Sequence, residues 1–349
     1  MKRASWVLLS GWVGACGGDD AGQSSSFGSG SASATADTTA SGGESSTTQV
    51  GGSSSTAAGS SSGGDGPKLD VGAADSGTTE PAMGCTFVDL LFVVDNSLSM
   101  SEYQAALAAA FPGFVDAMYA ELPPATDLHV GITTTDFYCQ PGGCSCSEAV
   151  FNCATTASDQ QVMDHYITPD VQDLGSNGGQ GRLFEFQGMS YFATTTDTDP
   201  GPLKQWFTGA ATAAGEDGCS FEMSSAGAAW AADPANAATN AGFIRDEGAV
   251  LMVFVLSDEP DKSPETVAAY HDRLAAAKTL CGGDECILTA GLLDGCVESS
   301  NQTVWQFLNA FGEAPTWGDI DDTQNYTTVV GNALAQIVGE TCDQIPPAG

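Results

Sequence analysis

The chain has 349 residues, enough for one large domain and additional segments. Its formal charge is −35 with only 9 Lys and Arg, which excludes nucleic acid and anionic membrane surfaces as electrostatic partners. The same charge draws in cations, although most of the acids are expected to be solvated surface.

The N-terminus reads as an export signal. Lys2 and Arg3 form a basic start, Trp6 to Val13 a short apolar core, and Val13-Gly-Ala-Cys16 a small-residue cleavage pattern ending in cysteine. Residues 1–16 are expected to be a lipoprotein signal peptide, with Cys16 as the lipidated first residue of the mature chain. Gly17 resembles the pattern that sends Gram-negative lipoproteins on to the outer membrane. No later stretch is long and apolar enough to span a bilayer, so lipid is the expected membrane attachment. Residues 17–84 are Ser, Gly, Thr and Ala with scattered acids and one aromatic, Phe27. They cannot bury a core and read as a disordered tether, about 45 Å in root-mean-square span. Of eleven cysteines, ten remain beside Cys16; in an exported chain they read as up to five disulfides. Cys85 and Cys342 flank the domain and could staple its ends. Cys281 and Cys286 are close enough to close a small loop.

A folded domain is expected over 85–349. Val88 to Val94 is an apolar run broken only by Asp89, the signature of a strand buried on both faces. It stops at Asp95, and a polar turn with the pattern D-x-S-x-S follows (Asp95, Ser97, Ser99). Apolar positions at Tyr103, Leu107, Phe111, Phe114 and Met118 then predict a helix from Ser101 to Leu122, kinked or broken at Pro112. Open α/β sheets bind ligands at this place, between the C-terminal end of a strand and a helix N-terminus. A carboxylate and two hydroxyls, with no His or Cys, suit a hard cation of the Mg2+ type. Taken alone, the turn reads more readily as a helix cap. Asp127 to Thr135 predicts the next strand, ending at Asp136; His129 has no evident partner and reads as a packed residue. Residues 137–200 read as an insertion. Its four cysteines at 139–153 are expected to be disulfides in preference to a zinc site with His165. Arg182 to Phe192 carries the alternation of a hairpin.

Helix patterns follow from Leu203 to Ala214 and, after Gly215-Glu-Asp-Gly-Cys-Ser-Phe-Glu222, through an Ala-rich stretch to Ala232. Ala249 to Leu256 is a second fully apolar strand, followed by Ser-Asp-Glu with Asp258 at the turn. Its helix is expected at Ser263 to Leu280, with Ser263 as N-cap and Pro264 at the first position. A strand at Ile287 to Leu292 and helices at Gln302 to Phe311 and Tyr326 to Val338 complete the domain. The alternation predicts an α/β fold with a mainly parallel central sheet and helices on both faces.

Two buried strands, each delivering an acid (Asp95, Asp258) to one sheet edge, make a constellation that resembles the von Willebrand factor A family. The resemblance covers about residues 85–342 and is closest to bacterial lipoprotein versions, whose second strand likewise ends in Ser-Asp-Glu. It implies a Rossmann-like fold with a disulfide-containing insertion and a metal-ion-dependent adhesion site. In that site Ser97 and Ser99 would bind Mg2+ (or Mn2+ or Ca2+) directly, and Asp95 and Asp258 largely through water. The family pattern has a Thr before the Ala-rich helix, and this chain has none there. Ser220 could supply a hydroxyl instead, or Glu222 a carboxylate; the relatives' Gly-Cys-x-Phe-Glu is similar here. Glu259 and Asp261 read either as acids behind the ligands or as exposed turn residues.

The resemblance implies a binding module, not an enzyme, whose metal is completed by an acidic residue of a partner protein. An envelope scaffold with a vestigial site is the alternative. A metal-dependent phosphatase is a weaker one: the position two beyond Asp95 is Ser97, where that chemistry needs a second Asp. The chain is also short of Lys, and a serine hydrolase is weaker still, with only three His to serve as base.

Overall fold

A computed structural model describes residues 86–137, 157–169, 177–216, 218–297 and 302–336. The expected signal peptide with Cys16, the tether, Cys85, the cysteines at 139–153 and Cys342 lie outside these residues. The described strands are β1 (Phe87–Val94), β2 (Asp127–Thr134), β3 (Tyr191–Thr195), β4 (Ala249–Ser257), β5 (Ile287–Leu293) and β6 (Thr316–Asp319). The α-helices are α1 (Ser101–Glu121), α2 (Asp159–His165), α3 (Gly201–Ala213), α4 (Ser224–Ala231), α5 (Val267–Ala276), α6 (Thr303–Leu308) and α7 (Tyr326–Gln336).

The strands form one sheet in the order β3-β2-β1-β4-β5-β6. Every pairing is parallel except β3 on β2. Because side chains alternate along a strand, Val88, Leu90, Phe92 and Val94 pack toward α1, α3 and α7, while Leu91 and Val93 pack toward α4, α5 and α6. Burial on both faces explains why β1 and β4 are nearly continuous apolar runs. Phe92 anchors the first layer, with the rings of Phe207, Phe254, Phe111 and Phe114 at 4.7, 5.4, 5.8 and 6.1 Å. On the other face α4 lies against the sheet at Gly227, where a Cβ would stand 2.9 Å from the Thr134 carbonyl oxygen.

Several expectations change. α1 runs unbroken through Pro112. A proline leaves the carbonyl four residues back without its helical donor, and here the Thr208 hydroxyl of α3 donates to that Ala108 oxygen at 3.4 Å. The stretch 137–200 is not wholly an insertion, because its end supplies β3. The expected hairpin reduces to one antiparallel bridge, Phe186 with Met189. α5 starts at Val267 with Thr266 as its cap; Ser263 instead accepts from the Ala226 amide and caps α4. β6 escaped notice because it has four residues with alternating exposure and a central Gly. Cys281 and Cys286 are disulfide-bonded as expected. Cys219 and Cys296 are disulfide-bonded as well.

The interruption of β1 by Asp89 has a structural cause. Its carboxylate is fully buried and accepts from the Arg245 backbone at 2.7 Å and from Arg245 Nε at 2.8 Å. Arg245 Nη1 continues to Asp127 at 2.8 Å, and the buried Lys278 ammonium donates to the Arg245 carbonyl. His129 is not without partners: its Nδ1 lies 2.9 Å from the Phe243 carbonyl oxygen, and its ring stands 3.7 Å from Asp89 and 3.8 Å from Asp127. Removing one member of a buried ion pair leaves the other uncompensated. Asp89→Ala is therefore expected to cost about 3–5 kcal/mol of stability, read from the urea midpoint, and a loss under about 1 kcal/mol would show that Arg245 finds water instead.

Candidate metal centre

β1 and β4 end side by side, and the turns that leave them carry the expected ligands. The Asp95 amide still donates to Leu256 of β4 at 2.9 Å, so the carboxylate is fixed by the sheet itself and is fully buried. Its Oδ1 accepts from the Ser97 amide at 2.8 Å, and its Oδ2 from the Ser257 hydroxyl at 2.9 Å. The turn is pinned from behind, since Gln104 Nε2 donates to the Asp95 and Gly215 carbonyls at 2.8 and 2.9 Å. From the side, the Gly218 amide donates to Asn96 O at 2.9 Å. A Cβ on Gly218 would lie 2.5 Å from Asn96 Oδ1, so the approach needs glycine. The Ser97 and Ser99 hydroxyl oxygens stand 3.0 Å apart, and Ser99 donates to Asp258 Oδ1 at 3.3 Å. Asp95, Ser97, Ser99 and Asp258 thus form one continuous polar chain.

The two replacements considered for the family's Thr fare differently. Glu222 is fully buried, and its carboxyl is pushed well up by burial and by the Asp95 charge. Ser220 is half-buried at a bend, and among the described residues no hydrogen bond joins it to the cluster. Glu259 and Asp261 are both buried, not exposed turn acids. Glu259 shares Lys262 with Glu222, at 3.4 and 2.9 Å from its ammonium. Asp261 accepts from the Ser225 and Ser263 amides at 3.2 and 3.0 Å and so fixes the start of α4. Sequence reasoning missed Ser257, Gln104 and Lys262. Ser257 and Lys262 flank Asp258 and could have been read as its companions; nothing in the sequence marks Gln104.

Burial first, then the charges of Asp258 and Glu259, raise the Asp95 carboxyl to about 7. Asp258 is raised by burial, with the Glu259 and Asp294 charges adding to it and the Ser99 hydrogen bond opposing. Burial alone would lower Lys262, but the Glu222 carboxylate outweighs it and the ammonium is held above its ordinary value.

The residues fit a hard cation. In an octahedron at about 2.0–2.1 Å, adjacent oxygens lie about 2.9 Å apart, the spacing of the two serine hydroxyls. Buried polar atoms normally have a partner. Three that have none, Asn96 Oδ1, Glu222 Oε1 and Ser224 Oγ, lie on the β1 turn and around the start of α4. Among the described residues no three His, Cys, Asp or Glu converge as a metal-holding group. A centre here therefore depends on the hydroxyls of Ser97 and Ser99 together with the acids. Zinc is disfavoured by the same donor set.

No family model matches the chain, and no curated protein does. Solved structures similar to it include a von Willebrand factor type A protein from Catenulispora acidiphila (13% identity, TM-score 0.37, covering 72% of this chain and 42% of that one). The pilus adhesin SpaC of Lactobacillus rhamnosus GG in an open conformation is similar at 15% identity and TM-score 0.38, over 72% of this chain and 30% of the adhesin. Proximal thread matrix protein 1 of the mussel byssus follows at 11% and 0.35, over 72% and 47%. The chain spans less than half the length of each of these proteins.

Asp95 makes stability depend on pH in a definite sense. Its folded value lies above its unfolded one, so its contribution is fully present below about pH 4 and is lost as the pH rises through about 7. With a chelator present, the melting temperature is expected to rise between about pH 8 and about pH 5.5. Asp95→Asn should melt higher than the parent at the alkaline end and show a flatter profile. A variant less stable than the parent at every pH would contradict this account of the site.

Proposed function

We propose that the chain is a cation-dependent binding module of the von Willebrand factor A type, exported and held to the cell envelope by lipid on Cys16. The observation that carries the reading is the 3.0 Å pair of serine hydroxyls set between two acids at the end of adjacent buried strands. Ser97 and Ser99 would hold Mg2+ (or Mn2+ or Ca2+) directly. Asp95 and Asp258 would orient its waters and Glu222 would face it from the start of α4. The bound ion supplies a position for an anionic group of the ligand, so the partner is a protein that brings an acidic residue. Every other role falls to the chain: Asp95 fixes the turn through the Ser97 amide, Gln104 holds the turn to α1, and the buried acids exclude anions until a cation is present.

The surroundings constrain that partner. Asp294 follows β5, Asp319 ends β6, and Asp321 and Asp322 come next, so the same sheet edge is strongly acidic. The Lys and Arg residues of the described part already hold partners within the domain. A partner carboxylate must therefore arrive framed by basic residues, and the encounter should weaken with salt. The exposed Leu98, between the two serines, offers an apolar contact beside the polar ones. These features support binding over turnover.

Thermal unfolding of the full chain tests this. An ion that binds the folded state alone must stabilise it, by about 2.7 kcal/mol at 100 times its dissociation constant. The gain on adding Mg2+, Mn2+ or Ca2+ to chelator-treated protein is expected to disappear in Ser97→Ala/Ser99→Ala. No gain with any of the three ions would leave an envelope scaffold whose D-x-S-x-S turn serves to start α1.

A further inference from the structure

Lys262 stands four residues beyond Asp258, in the turn between β4 and α5. Its ammonium donates to Glu222 Oε2 at 2.9 Å, to the Pro260 carbonyl at 3.3 Å and to Glu259 Oε2 at 3.4 Å. Its backbone amide also donates to the Glu222 carbonyl at 2.7 Å. The side chain is 8% exposed, against 0% for Glu222 and 5% for Glu259. Glu222 accepts from Lys262 through Oε2, and its Oε1 has no hydrogen-bond partner. Asp95 and Glu259 act on Glu222 with charges of the same sign. Among the described residues, several buried carboxylates face the one ammonium of Lys262.

A buried charge without compensation is strongly destabilising, yet a binding module has to fold before its ion arrives. From this arrangement we infer that Lys262 is the resident counter-charge of the cation site. It neutralises part of the carboxylate cluster while the site is empty, and it fixes Glu222 by Oε2 so that Oε1 is left for the ion. The role rests on the cation site proposed above. An ammonium suits it better than a guanidinium fork, because it is a compact point charge whose donors can be shared among oxygens of two separate loops.

Lys262 and a divalent ion then act on the same carboxylates, so their stabilising effects are not additive. In the cation-free full chain, Lys262→Met is expected to lower the melting temperature. The rise on adding Mg2+ should be larger in this variant than in the parent, and the apparent Kd for Mg2+ should fall by roughly tenfold or more because a like charge has been removed. Lys262→Arg keeps the charge and should keep the parent's response. If Lys262→Met does not fold without an ion, Glu222→Gln/Lys262→Met, which lacks both charges of the pair, should fold and should show a smaller Mg2+ response than the parent.

A rise in Lys262→Met equal to or below the parent's would overturn the inference and leave the cation site standing. So would a double variant as unstable as Lys262→Met. If neither parent nor Lys262→Met responds to Mg2+, Mn2+ or Ca2+, the cation site itself fails, and the role of Lys262 with it.

Discussion

β1 and β4 run parallel as neighbours, yet the chain leaves them toward opposite faces of the sheet. α1, after β1, packs on the layer around Phe92, whereas α5, after β4, contributes Tyr270 and Leu274 to the other layer. Where successive connections diverge, a crevice opens at the C-terminal ends of the strands. The hydrogen bond from the Asp95 amide to Leu256 carries the ladder up to the lip of that crevice. The site therefore inherits its precision from the sheet. Asp95 can be displaced only by breaking the β1–β4 pairing, and the Ser257 hydroxyl on its carboxylate comes from the neighbouring strand.

Helix α4 enters the site through a different dependency. It is short, and no side chain of its own caps its start. Asp261 and Ser263, from the turn after β4, bond the amides of Ser225 and Ala226. The same turn brings Lys262 to Glu222. The residues after Asp258 thus join two loops far apart in sequence, one holding Asp258 and the other Glu222. This explains why Ser263 does not start α5: its hydroxyl is already committed to α4, and Thr266 takes over the capping role.

The parts of the fold that were legible in the sequence are those where burial leaves one solution. β1, β4 and β5 are nearly continuous apolar runs because both faces are covered, and their positions followed from that pattern. The pairing of Asp95 with Asp258 was legible for the same reason, since each acid ends such a strand. β3 and β6 lie at the sheet edges, are short and half-exposed, and leave no such pattern. The choice between Ser220 and Glu222 could not be made from sequence, because it depends on which side chain the loop before α4 turns inward. Pro112 misled for a physical reason: its local cost is offset by Thr208, distant in sequence, and tertiary contacts of that kind leave no trace in a local pattern.

The two ends of the sheet handle buried acids in opposite ways, and the contrast bears on function. At the N-terminal end Asp89 meets the guanidinium and the backbone of Arg245, and Asp127 completes the pair's outer side. Nothing there asks for a further ligand. At the C-terminal end Glu222 and Glu259 share the Lys262 ammonium, and Asp95 lies beside them with only hydroxyl and amide donors among the described residues. Among the described residues, the buried side-chain atoms without hydrogen-bond partners are Asn96 Oδ1, Glu222 Oε1, Ser224 Oγ and Arg273 Nη1. The last is 2.9 Å from the Glu265 carboxylate and so has charge compensation. The other three lie on the turn after β1 and around the start of α4. Had this chain merely tolerated unpaired groups, they would be scattered over the described residues. Their concentration at the β1–β4 crevice supports the cation site proposed above.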